Sequence, residues 1–234
     1  MNNTILQLKI KQRLNKIASH DYDNIECWQI VESFNKGQSD WCRRNLHGMN
    51  TKQEGDEQSK RRIDDLQILL TEVTIPLSKH DKYVESPTLP TNYFEWKRLS
   101  AEATTECCDN TRNMVIYLAE VGNVDELLRD KNKQPSFEWG ETFCILQGNR
   151  IRVYTNNEFT LEEASLTYYR QPRRIEIAGC VDPYTQNTSV VDVECEFKDD
   201  LTEVFIDEAA KILAGDLESL NQQQIAGTQV ETNN

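Results

Sequence analysis

The sequence predicts an α+β chain: an N-terminal helical hairpin and a C-terminal helix packed together, with an antiparallel, β-sandwich-like domain inserted between them. Three observations predict it. Apolar stripes of helical period occur near the two ends of the chain. From Ile63 to about residue 198 the chain breaks into short runs rich in β-branched and aromatic residues, punctuated by Pro, Gly and Asn. The 234 residues are 38% hydrophobic and 28% charged, which suits modest cores under a large exposed surface.

Residues 1–18 read as a helix because Ile5, Leu8, Ile10, Leu14 and Ile17 recur near three-to-four spacing with basic residues between them. Asp21 or Asp23 can cap a second helix that carries Ile25, Trp28, Val31 and Phe34 toward Trp41, so 1–47 forms the hairpin. The stretch "GMNTKQEGDEQSKRR", residues 48–62, has almost nothing apolar and is expected to be an exposed charged loop.

The β domain is expected over 63–198. "DLQILLTEVTIPLS" alternates with one broken step, as a bulge would produce. Further strands are expected at 83–85, 93–103, 113–118, 141–146, 150–155, 164–169, 173–178 and 189–197, with a short helix near 123–130. "GN" at 148–149, "NN" at 156–157 and "DPYT" at 182–185 supply turns between them. Asp200 with Glu203 makes a capping-box-like start to the closing helix, 199–220, whose predicted face is Leu201, Phe205, Ile212 and Leu217. The polar end, 221–234, is expected to be mobile alone and able to order on a partner.

"SPTLPTNYFEWKRLS", residues 86–100, concentrates aromatic residues in an acidic chain. It could form a stacking platform, part of a pocket, or the start of a strand. Strict alternation puts Phe94 and Trp96 on one face and Tyr93, Glu95, Lys97 and Leu99 on the other. With no basic groove to accompany it, packing is the expected role.

The chemistry-bearing patterns point away from catalysis. The chain has neither "GxxxxGK" nor "GxSxG". Cys27, Cys42, Cys107, Cys108, Cys144, Cys180 and Cys195 have no repeated spacing, and His20, His47 and His80 lie far from any ligand pair. Free thiols in a reducing compartment are expected, with no catalytic, cofactor or metal residues, no cofactor and no enzymatic activity. No segment approaches the roughly 18 apolar residues of a membrane span, and the start lacks a secretory apolar region, so cytosolic synthesis and no membrane partner are expected.

A net charge of −13 disfavours a protein that grips nucleic acid, whereas an acidic surface lets a duplex pass without sticking. In "LTYYRQPRRIEIAG", Arg170, Arg173 and Arg174 gather around Pro172. They read either as an exposed hairpin or as a contact with an anion or an acidic partner, which includes the next copy of this chain.

Three segments also resemble a known family. "LPTNYFEWKRLSAEA" is similar to the "LP-x-(D/N)-Y" strand of tail tubular, or gatekeeper, ring proteins of short-tailed bacteriophages. "FEWGETFCILQGNRIRVYTNNEFTLEEASLTYYRQPRRIEI" resembles their strand, "GNRI" turn and "YYR-x-P" strand, and "FIDEAAKILAGDLES" their closing helix. With "AGCVDPYT", the combination is most similar to virion ring proteins of crAss-like phages, and it covers residues 83–220.

The resemblance implies a structural virion protein, made in the host bacterial cytoplasm and placed in the neck or tail. It implies a closed, dodecameric ring joining portal protein to tail, with adjacent ring proteins as neighbours. Genomic DNA would pass through its lumen without tight binding during packaging and ejection. Arg170, Arg173 and Arg174 would then be inter-subunit contacts. The alternative is a non-enzymatic, monomeric module that binds a virion or host factor.

Overall fold

A computed structural model of the protein describes residues 1–15, 25–46, 64–105 and 108–216. The loop expected at 48–62 and the tail expected at 221–234 lie outside these residues, as do Asp21, Asp23, Cys107 and Leu217. The chain is a mixture of helices and one curled sheet. It divides into a helical unit, Met1–Ile68 with Pro172–Asn234, and a sheet unit, Leu69–Gln171.

The helical unit contains α1 (Asn3–Asn15), α2 (Cys27–Leu46) and, from the other end of the chain, α4 (Asp199–Asp216). The last helix packs against both of the others. Its stretch "LTEVFIDEAAKILA" suits that position, because Leu201, Phe205, Ala209 and Leu213 are buried together with Ile206, Ala210 and Ala214. Gly37 lets α2 approach closely: a Cβ there would lie 3.1 Å from the Glu208 Cβ and 3.4 Å from the Ala209 nitrogen.

The buried stripe of α1 differs from the expected one. Leu6, Ile10 and Leu14 are sealed, while Ile5 and Leu8 face solvent at 48% and 63% exposure. Positions four apart fall on one face, so Leu6, Ile10 and Leu14 align, and Leu8 points away from them. Arg13 spans from this helix to Asp207 at 2.8 Å, and Lys9 pairs with Glu203. On α4, Ile212 is only half-buried and Leu213 takes the core position instead.

Residues 172–197 also belong to the helical unit, not to the sheet, and the strands expected at 173–178 and 189–197 are extended chain with isolated bridges at Glu176–Val193 and Val181–Thr188. The reason is that helix side chains satisfy this backbone. The Asn35 amide donates to the Ile175 carbonyl at 3.2 Å and its oxygen accepts from the Ile175 N–H at 2.8 Å. Gln38 donates to the Arg173 carbonyl, and Asn3 to that of Glu176.

Cys27 and Cys180 are joined in a disulfide, which corrects the expectation that all the thiols are free. The first residue of α2 and the 172–197 segment meet across 153 residues of sequence, a proximity that no local spacing could signal.

The sheet unit holds β1 (Leu70–Pro76), β2 (Ser78–Lys79), β3 (Tyr83–Glu85), β4 (Tyr93–Thr105), β5 (Cys108–Leu118), β6 (Glu141–Gln147), β7 (Arg150–Tyr154) and β8 (Thr160–Arg170). Their order is β1-β8-β4-β5-β6-β7-β3-β2. The two outermost strands, β1 and β2, are one run of chain joined at Leu77, so the sheet curls until its edges meet. Its inner face gathers Ile75, Val84, Leu99, Met114, Ile151, Val153, Leu166 and Tyr168 into one core.

One pair departs from the antiparallel expectation, since β5 and β6 run parallel. A parallel pair needs a long crossover, and residues 119–140, which include α3 (Val124–Arg129), provide it. Between β6 and β7, Gly148 and Asn149 have φ of 59° and 60° opposite the Gln147–Arg150 pair, the two-residue turn that matches strand twist.

Irregularities in β4 overturn the predicted faces of the aromatic stretch. The register with β8 shifts between Tyr93 and Glu95 and again between Trp96 and Arg98. Each extra residue resets the alternation, so Tyr93 and Trp96 both pack against the core that holds Leu99. Trp96 is only half-buried, so Trp96→Ala is expected to cost about 2 kcal/mol, below the range for a sealed aromatic. Chemical denaturation measures this, and an unchanged midpoint would contradict the packing role.

Candidate functional site

The three arginines singled out in the sequence belong to different units. Arg170 ends β8 in the sheet unit and donates to the Gln171 carbonyl at 3.2 Å. Arg173 lies in the helical unit, where its N–H donates to Glu196 at 2.8 Å. Arg174, one residue on, is exposed and lines a groove.

That groove, about 540 Å³, lies between the start of α2 and the chain from Arg174 to Val191. Trp28 and Tyr184 meet edge to face across it, with ring centroids 6.3 Å apart at 80°. Glu32, Glu176 and Asp182 give it more acid than Arg174 offsets. The Asp182 carboxylate accepts from the Tyr184 N–H and the Thr185 hydroxyl, each at 2.9 Å, and these bonds hold its pKa below the ordinary aspartate value. Around the rim, Tyr184, Val190 and Val191 are 77%, 89% and 62% exposed.

The sequence places "DPYT" in a turn and Trp28 among the apolar residues of the second helix. The turn is present, with Asp182 accepting from the residue two positions on. Its partnership with Trp28 depends on the packing of a distant segment.

The sheet unit carries two surface features of its own. Val115 and Tyr117 on β5 and Trp139 in the crossover are exposed apolar residues, Trp139 at 77%. On β3 and β7, Glu85 accepts from Arg152 Nε at 2.7 Å and from Arg150 Nη1 at 3.0 Å. The Arg152 guanidinium lies 5.2 Å from the Tyr83 ring centroid, and His80 stacks on the same ring at 4.9 Å. With Lys79 and Lys82 alongside, this edge is basic in a chain of net charge −13.

Arg152, and then Arg150, hold the Glu85 carboxyl below its ordinary value of 4.5. A depressed folded pKa contributes stability that is present above the unfolded value and lost as pH falls through the folded one. The sheet unit is therefore expected to weaken below about pH 4.5, and Glu85→Gln to remove part of that dependence. Denaturation midpoints of both proteins at neutral pH and at low pH test this; a gap unchanged between the two pH values would contradict it.

Cys42, Cys144 and Cys195 are free cysteines, and all three are buried. Burial pushes the Cys42 and Cys144 thiols up to about 12, and the Cys195 thiol up as well, which leaves little thiolate at neutral pH. Among the described residues no group of three His, Cys, Asp or Glu side chains could hold a metal ion, and no helix is long and apolar enough to cross a membrane. No protein-family model matches this chain, and no curated protein matches it.

Proposed function

We propose that the protein is a structural virion component, a subunit of a closed ring in the neck or tail of a short-tailed phage. In this role it joins portal protein to tail and surrounds the passing genome. The observation that carries the reading is the exposure of large apolar residues on both units, Val115, Tyr117 and Trp139 on the sheet unit and the groove-lining Tyr184, Val190 and Val191 on the helical unit. Clustered exposed apolar residues mark interaction surfaces. Unlike exposed surfaces on one chain suit a head-to-tail contact, which closes into a ring when its rotation permits.

The acidic balance adds support, because a negative lumen repels duplex phosphates and lowers friction on a moving genome. The resemblance across residues 83–220 supplies dodecameric stoichiometry. Electron microscopy of the purified protein, alone and mixed with the portal protein of the same genome, tests the reading. Rings, free or docked on the portal, are the expected result. Monomers that ignore the portal would favour the alternative, a monomeric module that binds a virion or host factor.

A further inference from the structure

The acidic groove of the helical unit and the basic edge of the sheet unit are complementary in charge. The groove offers the exposed Tyr184 ring beside Trp28, an aromatic surface that attracts a cation, with Glu32, Glu176 and Asp182 around it. The edge offers an exposed turn whose backbone is fixed, since the Thr155 and Asn156 N–H groups donate to the Lys82 carbonyl at 3.0 and 3.1 Å. Between β2 and β3 the chain reverses at His80–Tyr83, closed by the His80 N–H donating to the Tyr83 carbonyl at 2.9 Å. Asp81 and Lys82 form the exposed tip, and Arg150 stands exposed on neighbouring β7. The two arginines are held in place by Glu85, and Arg152 also donates to Gln147 at 2.7 Å, so little side-chain freedom is lost on docking.

We propose that the groove of one copy receives the His80–Tyr83 turn of a second copy, with Lys82 lying against the Trp28–Tyr184 pair among Glu32, Glu176 and Asp182. The occupant is a second copy of this chain because one chain carries both halves, unlike each other and opposite in charge. Such a contact is heterologous: every copy gives its turn to one neighbour and takes a turn from the other. The exposed Val190 and Val191 at the rim exclude water around the charged centre, where the attraction is strongest. The inference rests on the ring-subunit reading and assigns it a specific interface.

Light scattering on the full chain, alone and with portal protein, tests this with Lys82→Glu and Glu32→Lys. Each variant is expected to assemble about tenfold more weakly than the native protein, as is the native protein at high salt. Mixing the variants should restore association, since the intact turn of one meets the intact groove of the other. That recovery also shows that both variants are folded. Native rings with undiminished assembly of both variants would overturn the groove contact and leave the ring reading standing. A mixture that stays dissociated would likewise overturn the contact. A native protein that remains monomeric with and without portal would overturn both.

Discussion

Phe205→Ala is expected to destabilise the helical unit by about 3–5 kcal/mol, a large part of the roughly 5–15 kcal/mol that holds a typical domain folded. Phe205 is fully buried on α4 and meets three rings edge to face: Phe34 at 6.0 Å, Trp41 at 5.4 Å and Phe197 at 5.2 Å. Phe34 and Trp41 come from α2, and Phe197 ends the 172–197 segment, so one side chain ties together three separate stretches of chain. Large, stiff neighbours cannot collapse into the space a benzyl group leaves, and the cavity cost therefore adds to the lost transfer energy. Phe205→Leu keeps most of the volume and is expected to cost about 1 kcal/mol. Denaturant titration followed by far-ultraviolet circular dichroism measures both, and similar midpoints for the alanine variant and the native protein would contradict this account of the core.

Loss of the Cys27–Cys180 bond is expected to have the next largest effect. The two residues are 153 apart, but the constraint acts over a shorter path while the sheet unit stays folded. Leu70 and Tyr169 are cross-strand partners, so the sheet unit's two ends leave from adjacent positions and short-circuit the loop. The effective loop is then roughly fifty residues, for which the loop-closure model gives about 4 kcal/mol, with measured values usually somewhat lower. Cys27→Ser/Cys180→Ser and the native protein under dithiothreitol should unfold at the same, lowered midpoint. Alkylation of the unreduced, denatured protein followed by mass measurement should leave these two cysteines unmodified. If both react, the bond does not form in that preparation.

What could be read from the sequence was local. Alternation and punctuation located β3, β4, β6, β7 and β8 within a few residues, and Gly148–Asn149 announced its turn because only a positive φ fits there. Whatever depends on distant partners was hidden. Alternation has no term for the register shifts around Phe94 and Lys97, so Trp96 was assigned to the face opposite Leu99. Nothing in residues 173–178 distinguishes a strand paired with another strand from one whose backbone is satisfied by Asn35 and Gln38. The candidate groove was the least legible part. Its components, Trp28, Arg174 and Asp182, are each ordinary where they stand in the sequence, and only the packing of the 172–197 segment on α2 makes them one surface.

The helical unit is assembled from the two ends of the chain, and this sets an order of events during synthesis. All of Leu69–Gln171 is synthesised before Asp199–Asp216 exists, so every strand of the sheet precedes the helix that completes the other unit. The helix α1, with its Leu6, Ile10 and Leu14 stripe, must wait for a partner whose contacting residues lie 194 positions later, or roughly 10–40 s at ordinary translation rates. During that interval its apolar stripe is available to chaperones and to other nascent chains. Polysomes, where many such ends stand close together, are therefore where misassembly of this protein would begin.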